Sequence, residues 1–365
     1  MADISTPGLP PFHVIAIDMD GTLLNPEHEI TEFTKKTIQD VVAKYPTQVF
    51  VALSSGRQYP DLKSILDSLE LPKENGSIVS CNGACVYAFN SSTLIDRKDD
   101  KNEEEKVISS EKQKYDLIQV RNATVLPENA YQVISMWLDY GKCEVNLHIY
   151  QDDRWICAME EKEILKYSSI SGYHYELFNP LESIQAYNLY KEQNKKKFPD
   201  DTLTAGHSNL TLTNPFGGIR KFFLSSKNNE LLKTIKSRIQ DKIPSLSISF
   251  SSNCFLEIVD ADVSKFTGLQ SLMPHLQACA KAKQSAREAN GKIESESEVP
   301  WTVESTCIAF GDNENDVPML VKAARGCLMG NSTEELKRTL KNDVVVVGTN
   351  SEDGVAHEIK KAFKL

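Results

Sequence analysis

From Phe12 to Ile17 the chain reads Phe-His-Val-Ile-Ala-Ile, and the run stops on Asp18. Alternating apolar and polar residues would give a strand with one wet face. A near-continuous apolar run suits a strand covered on both faces, as in the interior of a parallel sheet flanked by helices. Asp20-Gly21-Thr22 supplies a turn directly after it. The unit then repeats. Glu32 to Lys44 has helical spacing, with Phe33, Ile38, Val41 and Val42 apolar, and Val49 to Leu53 is a second buried strand closed by Ser54-Ser55-Gly56-Arg57. Leu62 to Leu69 again reads as helix, and Ser77 to Ser80 as a short third strand. Strand, helix, strand, helix, strand predicts an open α/β sheet with right-handed crossovers.

The pattern changes near residue 97. Residues 97 to 114 are dense in charge and read as a solvated helix or a loose insertion. Beyond them the strands alternate, as in Glu144 to Tyr150 and Leu246 to Phe250, which predicts a sheet with one wet face. The buried style returns at Thr306-Cys307-Ile308-Ala309-Phe310, just before Gly311-Asp312, with a last strand at Val344 to Val347. Ala278 to Pro300, rich in Lys, Glu and Ser, reads as a surface insertion. The expected organisation is a Rossmann-like, doubly wound parallel sheet core built from residues 1–97 and 255–365, with an α+β cap domain inserted at 98–254.

Charge narrows the partners. Lys and Arg total 41 against 51 Asp and Glu, a net charge of −10. Binding nucleic acid requires a clustered cationic face, and so does binding an anionic membrane surface; neither is expected here. The start, Met1-Ala2-Asp3-Ile4-Ser5-Thr6-Pro7, lacks the basic and apolar parts of a signal peptide, and no run approaches the ~18 apolar residues of a membrane span. Eight cysteines are scattered, with only Cys81 and Cys85 close together, which is no zinc framework and suits reduced thiols in a cytosolic protein. A cytoplasmic protein acting on a small molecule is expected, with no protein partner indicated.

Chemistry-bearing residues stand where the buried runs end. In open α/β sheets, ligands bind just beyond the carboxyl ends of the strands. Asp18 and Asp20 are two carboxylates that can share that crevice, one as nucleophile and one as proton shuttle. Gly21 lets the backbone turn tightly between them and an anion. Ser55 and the following Gly56 N–H can bind a phosphate oxygen. Asp312 and Asp316 suit a hard cation, since Mg²⁺ takes oxygen ligands and keeps several waters. Lys265 opens a helical stretch and can neutralise a phosphate. A helix-capping acid pair would explain Asp18 and Asp20 alone, but not the other stations.

The motifs resemble those of the haloacid dehalogenase superfamily, in its Cof-type phosphatase branch with a type IIB cap. The first is Asp18-Met19-Asp20-Gly21-Thr22; the second is Ser54-Ser55-Gly56-Arg57, where the family more often has Thr-Gly-Arg. The third is Asp262-Val263-Ser264-Lys265, and the fourth is Gly311-Asp312-Asn313-Glu314-Asn315-Asp316-Val317-Pro318-Met319. Asn82-Gly83-Ala84, Met329-Gly330-Asn331-Ser332 and Glu352-Asp353-Gly354-Val355-Ala356 fit the branch. The resemblance covers about residues 12–97 and 255–358; the cap matches only by position and length. It implies Asp18 as the nucleophile that forms an aspartyl-phosphate, and Asp20 as acid and then base. It implies Mg²⁺ held by Asp18, the Asp20 carbonyl and Asp312, with Asp316 in support. Ser55, Gly56, Lys265 and Asn315 would bind the phosphoryl group.

The implied activity is a Mg²⁺-dependent phosphomonoesterase for a small phosphorylated metabolite such as a sugar phosphate. Asp20 argues against dehalogenation, because the dehalogenases lack that acid. A phosphosugar mutase of the same superfamily is the enzymatic alternative, and a catalytically silent binding protein the non-enzymatic one. In the cap, His148, His174 and His207 read as ordinary strand or surface residues, and Gly217-Gly218-Ile219-Arg220 as a turn.

Overall fold

The computed structural model describes residues 9–96, 117–139, 144–152, 154–162, 174–195, 214–287 and 299–365. The charged stretch at 97–114 and His207 lie outside them. The chain divides into two compact units, residues 1–122 with 264–365, and residues 123–263.

The first unit is built on eight strands: β1 (Val14–Ile17), β2 (Phe50–Ser54), β3 (Gly76–Ser80), β4 (Cys85–Phe89), β5 (Leu117–Asn122), β12 (Cys307–Gly311), β13 (Arg325–Leu328) and β14 (Val345–Val346). Their order is β14-β13-β12-β1-β2-β3-β4-β5. The pairs from β14 to β3 are parallel, and β4 and β5 extend the sheet antiparallel. The continuous apolar runs are explained by cover on both faces. Ile15, Ile17, Val51 and Leu53 pack with Ile38, Val41 and Val42 of α1 (Glu32–Lys44) and Leu62 and Leu66 of α2 (Tyr59–Ser68). Val14, Ala16, Phe50 and Ala52 face the opposite layer, with Leu269, Leu272, Met273 and Leu276. The expected α/β core with helices on both faces is found.

The second unit holds the other six strands: β6 (Asn146–Gln151), β7 (Arg154–Cys157), β8 (Tyr175–Leu177), β9 (Ile219–Ser225), β10 (Leu246–Ser252) and β11 (Phe255–Asp260), ordered β10-β11-β9-β6-β7-β8. Helices α3 (Pro127–Asp139), α4 (Pro180–Lys195) and α5 (Asn229–Lys242) bury Val133, Ile134, Trp137, Tyr187, Ile235 and Ile239 against one face.

Four expectations need correction. The boundaries fall at 122/123 and 263/264, not at 97/98 and 254/255: β5 pairs with β4 in the first sheet, and β11 pairs with β9 and β10 in the second. Strand β6 does not wet one face; Asn146, His148 and Tyr150 are buried as well. His148 stacks on Phe223 with ring centroids 4.0 Å apart, and Lys221 lies 4.8 Å from the Tyr150 ring and pairs with Glu257 at 3.0 Å. The polar run after Ala278 is not wholly a surface insertion. It continues α6 (Lys265–Arg287) as far as Arg287, with Cys279 and Ala280 buried and Lys283 donating to Asn75 Oδ1 at 2.5 Å. Its polarity is that of a helix whose lysine is buried by pairing. Finally, β14 is a two-residue edge strand with Val345 and Val346 exposed, not a buried one. Gly217-Gly218 is a turn, as expected, and Ile219 and Arg220 begin β9.

Candidate active site

Strands β12, β1 and β2 are neighbours in parallel register, with Ile17 opposite both Phe310 and Leu53. Asp18, Ser55 and Asp312 follow these strands directly, so one edge of the sheet gathers a nucleophile, a hydroxyl and a carboxylate that lie far apart in sequence. Two close approaches shape the turn after β1. Gly21 has φ +80°, and a Cβ there would stand 2.5 Å from Asp312 Oδ2. A side chain would therefore be both strained and in collision with the second carboxylate. Thr22 Oγ1 donates to Asp312 Oδ1 at 3.1 Å.

Lys265 is the centre of the charge arrangement. Ser264 Oγ accepts from Thr267 N–H at 3.1 Å, and Thr267 Oγ1 accepts from Ser264 N–H at 2.9 Å. This reciprocal cap fixes where α6 begins, and so where Lys265 points. Its side chain is fully buried, with Nζ donating to Asp18 Oδ1 at 2.5 Å and to Asp316 Oδ1 at 2.6 Å. Burial would lower the Lys265 pKa, but the Asp18 and Asp316 carboxylates outweigh it and raise it above the ordinary value.

Asp316 is already engaged. Its Oδ1 accepts from Lys265, while its Oδ2 accepts from the backbone N–H of Asp312 at 2.9 Å and of Asn313 at 3.0 Å. It therefore braces the fourth-motif loop and the lysine. Asp18 differs: among the described residues its Oδ2 takes no hydrogen bond.

Carboxylate oxygens of Asp18, Asp312 and Asp316 lie within 4.8 Å of one another, all buried. One lysine does not balance them. Burial and the Asp316 charge raise the Asp18 pKa, and burial and the Asp18 charge raise that of Asp312. A buried carboxylate cluster short of positive charge, with only oxygen donors, fits a hard divalent cation.

Asp20 sits at the rim with 47% of its side chain exposed. Arg57 grips it with both arms, Nε to Oδ2 at 2.7 Å and Nη2 to Oδ1 at 2.5 Å. Desolvation pushes the Asp20 pKa up, but the Arg57 guanidinium outweighs it and holds the carboxyl below its usual range. Ser55 is buried and its Oγ accepts from Arg57 N–H at 3.2 Å, across the half-buried Gly56. Asn315 is half-buried, and its Nδ2 donates to Asn82 Oδ1 at 3.2 Å.

Most sequence-derived candidates thus surround one crevice of the first unit. Arg57, Thr22, Asn82 and Asn331 lie in the motifs with no role implied for them, although each touches a candidate. Asn331 Nδ2 donates to the Gly21 carbonyl at 2.8 Å, and Asn350 Nδ2 to that of Leu24 at 2.8 Å. Asp353 accepts from Thr31 at 2.5 Å and Thr34 at 2.9 Å. The late branch motifs therefore fasten the segment that follows the first motif.

A model of the haloacid dehalogenase-like hydrolases matches residues 15–282 and 302–359. The chain belongs to this family. It is therefore an enzyme of the hydrolase class, as its motifs implied. A Buchnera aphidicola protein provisionally named a phosphatase is 26% identical over 353 residues, spanning 96% of this chain and 97% of its own. The HMP-PP phosphatase of Yersinia pseudotuberculosis is 23% identical over 349 residues, spanning 95% of this chain and 93% of its own. A solved subclass IIB sugar phosphatase of the superfamily shares the fold with a TM-score of 0.61 at 14% identity, covering 95% of this chain and 98% of its own. No helix among the described residues is long and apolar enough to cross a membrane.

Proposed function

We propose that this protein is a Mg²⁺-dependent phosphomonoesterase that hydrolyses a small phosphorylated metabolite through an aspartyl-phosphate on Asp18. It is a phosphatase of the haloacid dehalogenase superfamily. The convergence of Asp18, Asp312 and Lys265 at the carboxyl ends of β1, β12 and the start of α6 carries this reading. Asp18 attacks phosphorus as the bond to the ester oxygen breaks, and Asp20 protonates that oxygen as it leaves. Asp20 then takes a proton from water, which attacks the same phosphorus and frees the Asp18 carboxylate and inorganic phosphate. Ser55, the Gly56 N–H, Lys265 and Asn315 hold the phosphoryl oxygens, a positioning and charge-neutralising role. Asp18, the Asp20 carbonyl and Asp312 would hold Mg²⁺, with Asp316 bracing them. When bound, the ion neutralises charge on the phosphoryl oxygens. To act as an acid, Asp20 must give up its pairing with Arg57. We place the protein in the cytoplasm on its cysteine usage.

Asp20→Asn separates the two carboxylate roles. Aryl phosphates have leaving groups that need little protonation, so the first step should fall little for them and about 10²- to 10⁴-fold for alkyl phosphates. Rapid-mixing measurement of leaving-group release checks this; equal losses for both ester types would remove Asp20 as the acid.

Residues 123–263 are proposed as the cap that selects the substrate. Unlike the core crevice, the sheet face opposite its helices carries aromatic rings together with the Lys221–Glu257 pair. The test is a panel of phosphorylated metabolites, with sugar phosphates and HMP-PP included, assayed on the full chain and on one with residues 123–263 replaced by a short linker. Phosphate release with selectivity lost in the shortened chain is expected. Isomerised sugar phosphate without free phosphate would favour a mutase, and an unchanged ranking in a folded core would place selectivity there.

A further inference from the structure

The turn between β3 and β4 belongs to none of the phosphate-contacting motifs, yet it touches three of them. Cys81, Asn82 and Gly83 all have positive φ, at 50°, 56° and 98°. Three consecutive residues in this region are costly for any residue but glycine or, less so, asparagine. The backbone of the turn binds the second motif: Asn82 N–H donates to the Ser55 carbonyl at 3.0 Å, and Cys81 N–H to that of Arg57 at 2.9 Å. Gly83 lies against the third motif, where a Cβ would stand 2.0 Å from the Ser264 carbonyl oxygen. The Asn82 side chain is buried, and its Oδ1 accepts from Nδ2 of Asn315 in the fourth motif.

We infer that Asn82 is a positioning residue for the phosphoryl group, and that its side-chain oxygen orients the Asn315 amide. The inference rests on the phosphatase reading above. The chemistry is one of counting. A primary amide carries two N–H donors on one planar nitrogen. Asn82 takes one, which fixes the plane of the Asn315 amide and leaves its second N–H with a set direction. A donor already held in place binds an anion without first losing rotamer freedom. The bland account is that Asn82 is asparagine only because its backbone is left-handed. The two accounts differ in what they expect of glycine, which keeps that backbone without strain and lacks the amide.

The experiment is a double-variant cycle of Asn82→Gly and Asn315→Ala, in Mg²⁺, with inorganic phosphate as inhibitor of aryl phosphate turnover. Thermal midpoints are recorded beside the inhibition constants. Asn82→Gly should weaken phosphate inhibition roughly 5- to 10-fold, the range of one hydrogen bond to an oriented donor. Asn315→Ala should weaken it at least as much, and the double variant no more than Asn315→Ala alone. Wild-type inhibition in Asn82→Gly, or losses that multiply in the double variant, would overturn the inference while leaving the phosphatase reading intact. An unchanged constant in Asn315→Ala would overturn it together with the assigned role of Asn315. If Asn82→Gly does not fold, Asn82→Ala run in the same cycle decides, because the comparison is then between two proteins that share the backbone change.

Discussion

Replacing Asp18 with Asn should lower kcat by a factor of about 10⁴ or more, leaving no turnover attributable to the crevice. The substitution keeps shape and removes the anionic nucleophile. It also changes the partner of Lys265, which is fully buried and relies on Asp18 and Asp316 for its charge. With Asp316 still in place the ammonium keeps one carboxylate, so the variant should fold. Circular dichroism and a thermal midpoint near that of the wild type separate lost chemistry from lost structure. Appreciable residual turnover in the folded variant would place the nucleophile elsewhere.

Chelation is the second large effect. Asp18, Asp312 and Asp316 crowd their oxygens within 4.8 Å against one lysine, a crevice that would repel a phosphate dianion. Excess chelator should lower activity about 10³-fold or more, corresponding to several kcal/mol of lost transition-state stabilisation, and Mg²⁺ should restore it. Stability should report the same cluster. The carboxyl pKa values of Asp18 and Asp312 are raised in the folded protein, chiefly by burial, and then by the Asp316 charge at Asp18 and by the Asp18 charge at Asp312. Their folded forms hold protons that the unfolded chain has released. The stability they contribute is complete below the ordinary carboxylate range and is lost as pH rises through the raised values. In chelator, then, the thermal midpoint should fall as pH rises from that range. Mg²⁺ at about 100 times its dissociation constant should add roughly 2.7 kcal/mol and flatten that slope. Asp312→Ala should abolish the Mg²⁺ stabilisation. Full activity in excess chelator would contradict the metal assignment.

What the sequence made legible follows from how local each signal was. Buried parallel strands advertise themselves as unbroken apolar runs, so β1, β2 and β12 and the residues just past them are legible in the sequence alone. The edges were less legible. Strand β5 joins the first sheet through backbone hydrogen bonds to β4 alone, and its residues carry mixed polarity. Period-two alternation misled at β6, because polar His148 is buried by stacking and by Ser225, a cross-strand arrangement that sequence spacing does not encode. In the crevice, residue types at strand ends pointed to the carboxylates and the lysine. Arg57 gripping Asp20 and Asn82 holding Asn315 depend on side-chain directions across strands, and no spacing rule supplies those.

The central claim is a covalent phosphoryl group on Asp18. Asp20→Asn should prolong its life, since the water that hydrolyses it then lacks a base. The measurement is acid quench of Asp20→Asn during turnover of an aryl phosphate in Mg²⁺, followed by proteolysis and mass spectrometry of the peptide containing Asp18. A phosphoryl adduct on that peptide, labile to hydroxylamine and absent from Asp18→Asn, is the expected result. An enzyme that releases the aryl alcohol in the same experiment while no peptide carries a phosphoryl group would contradict the account.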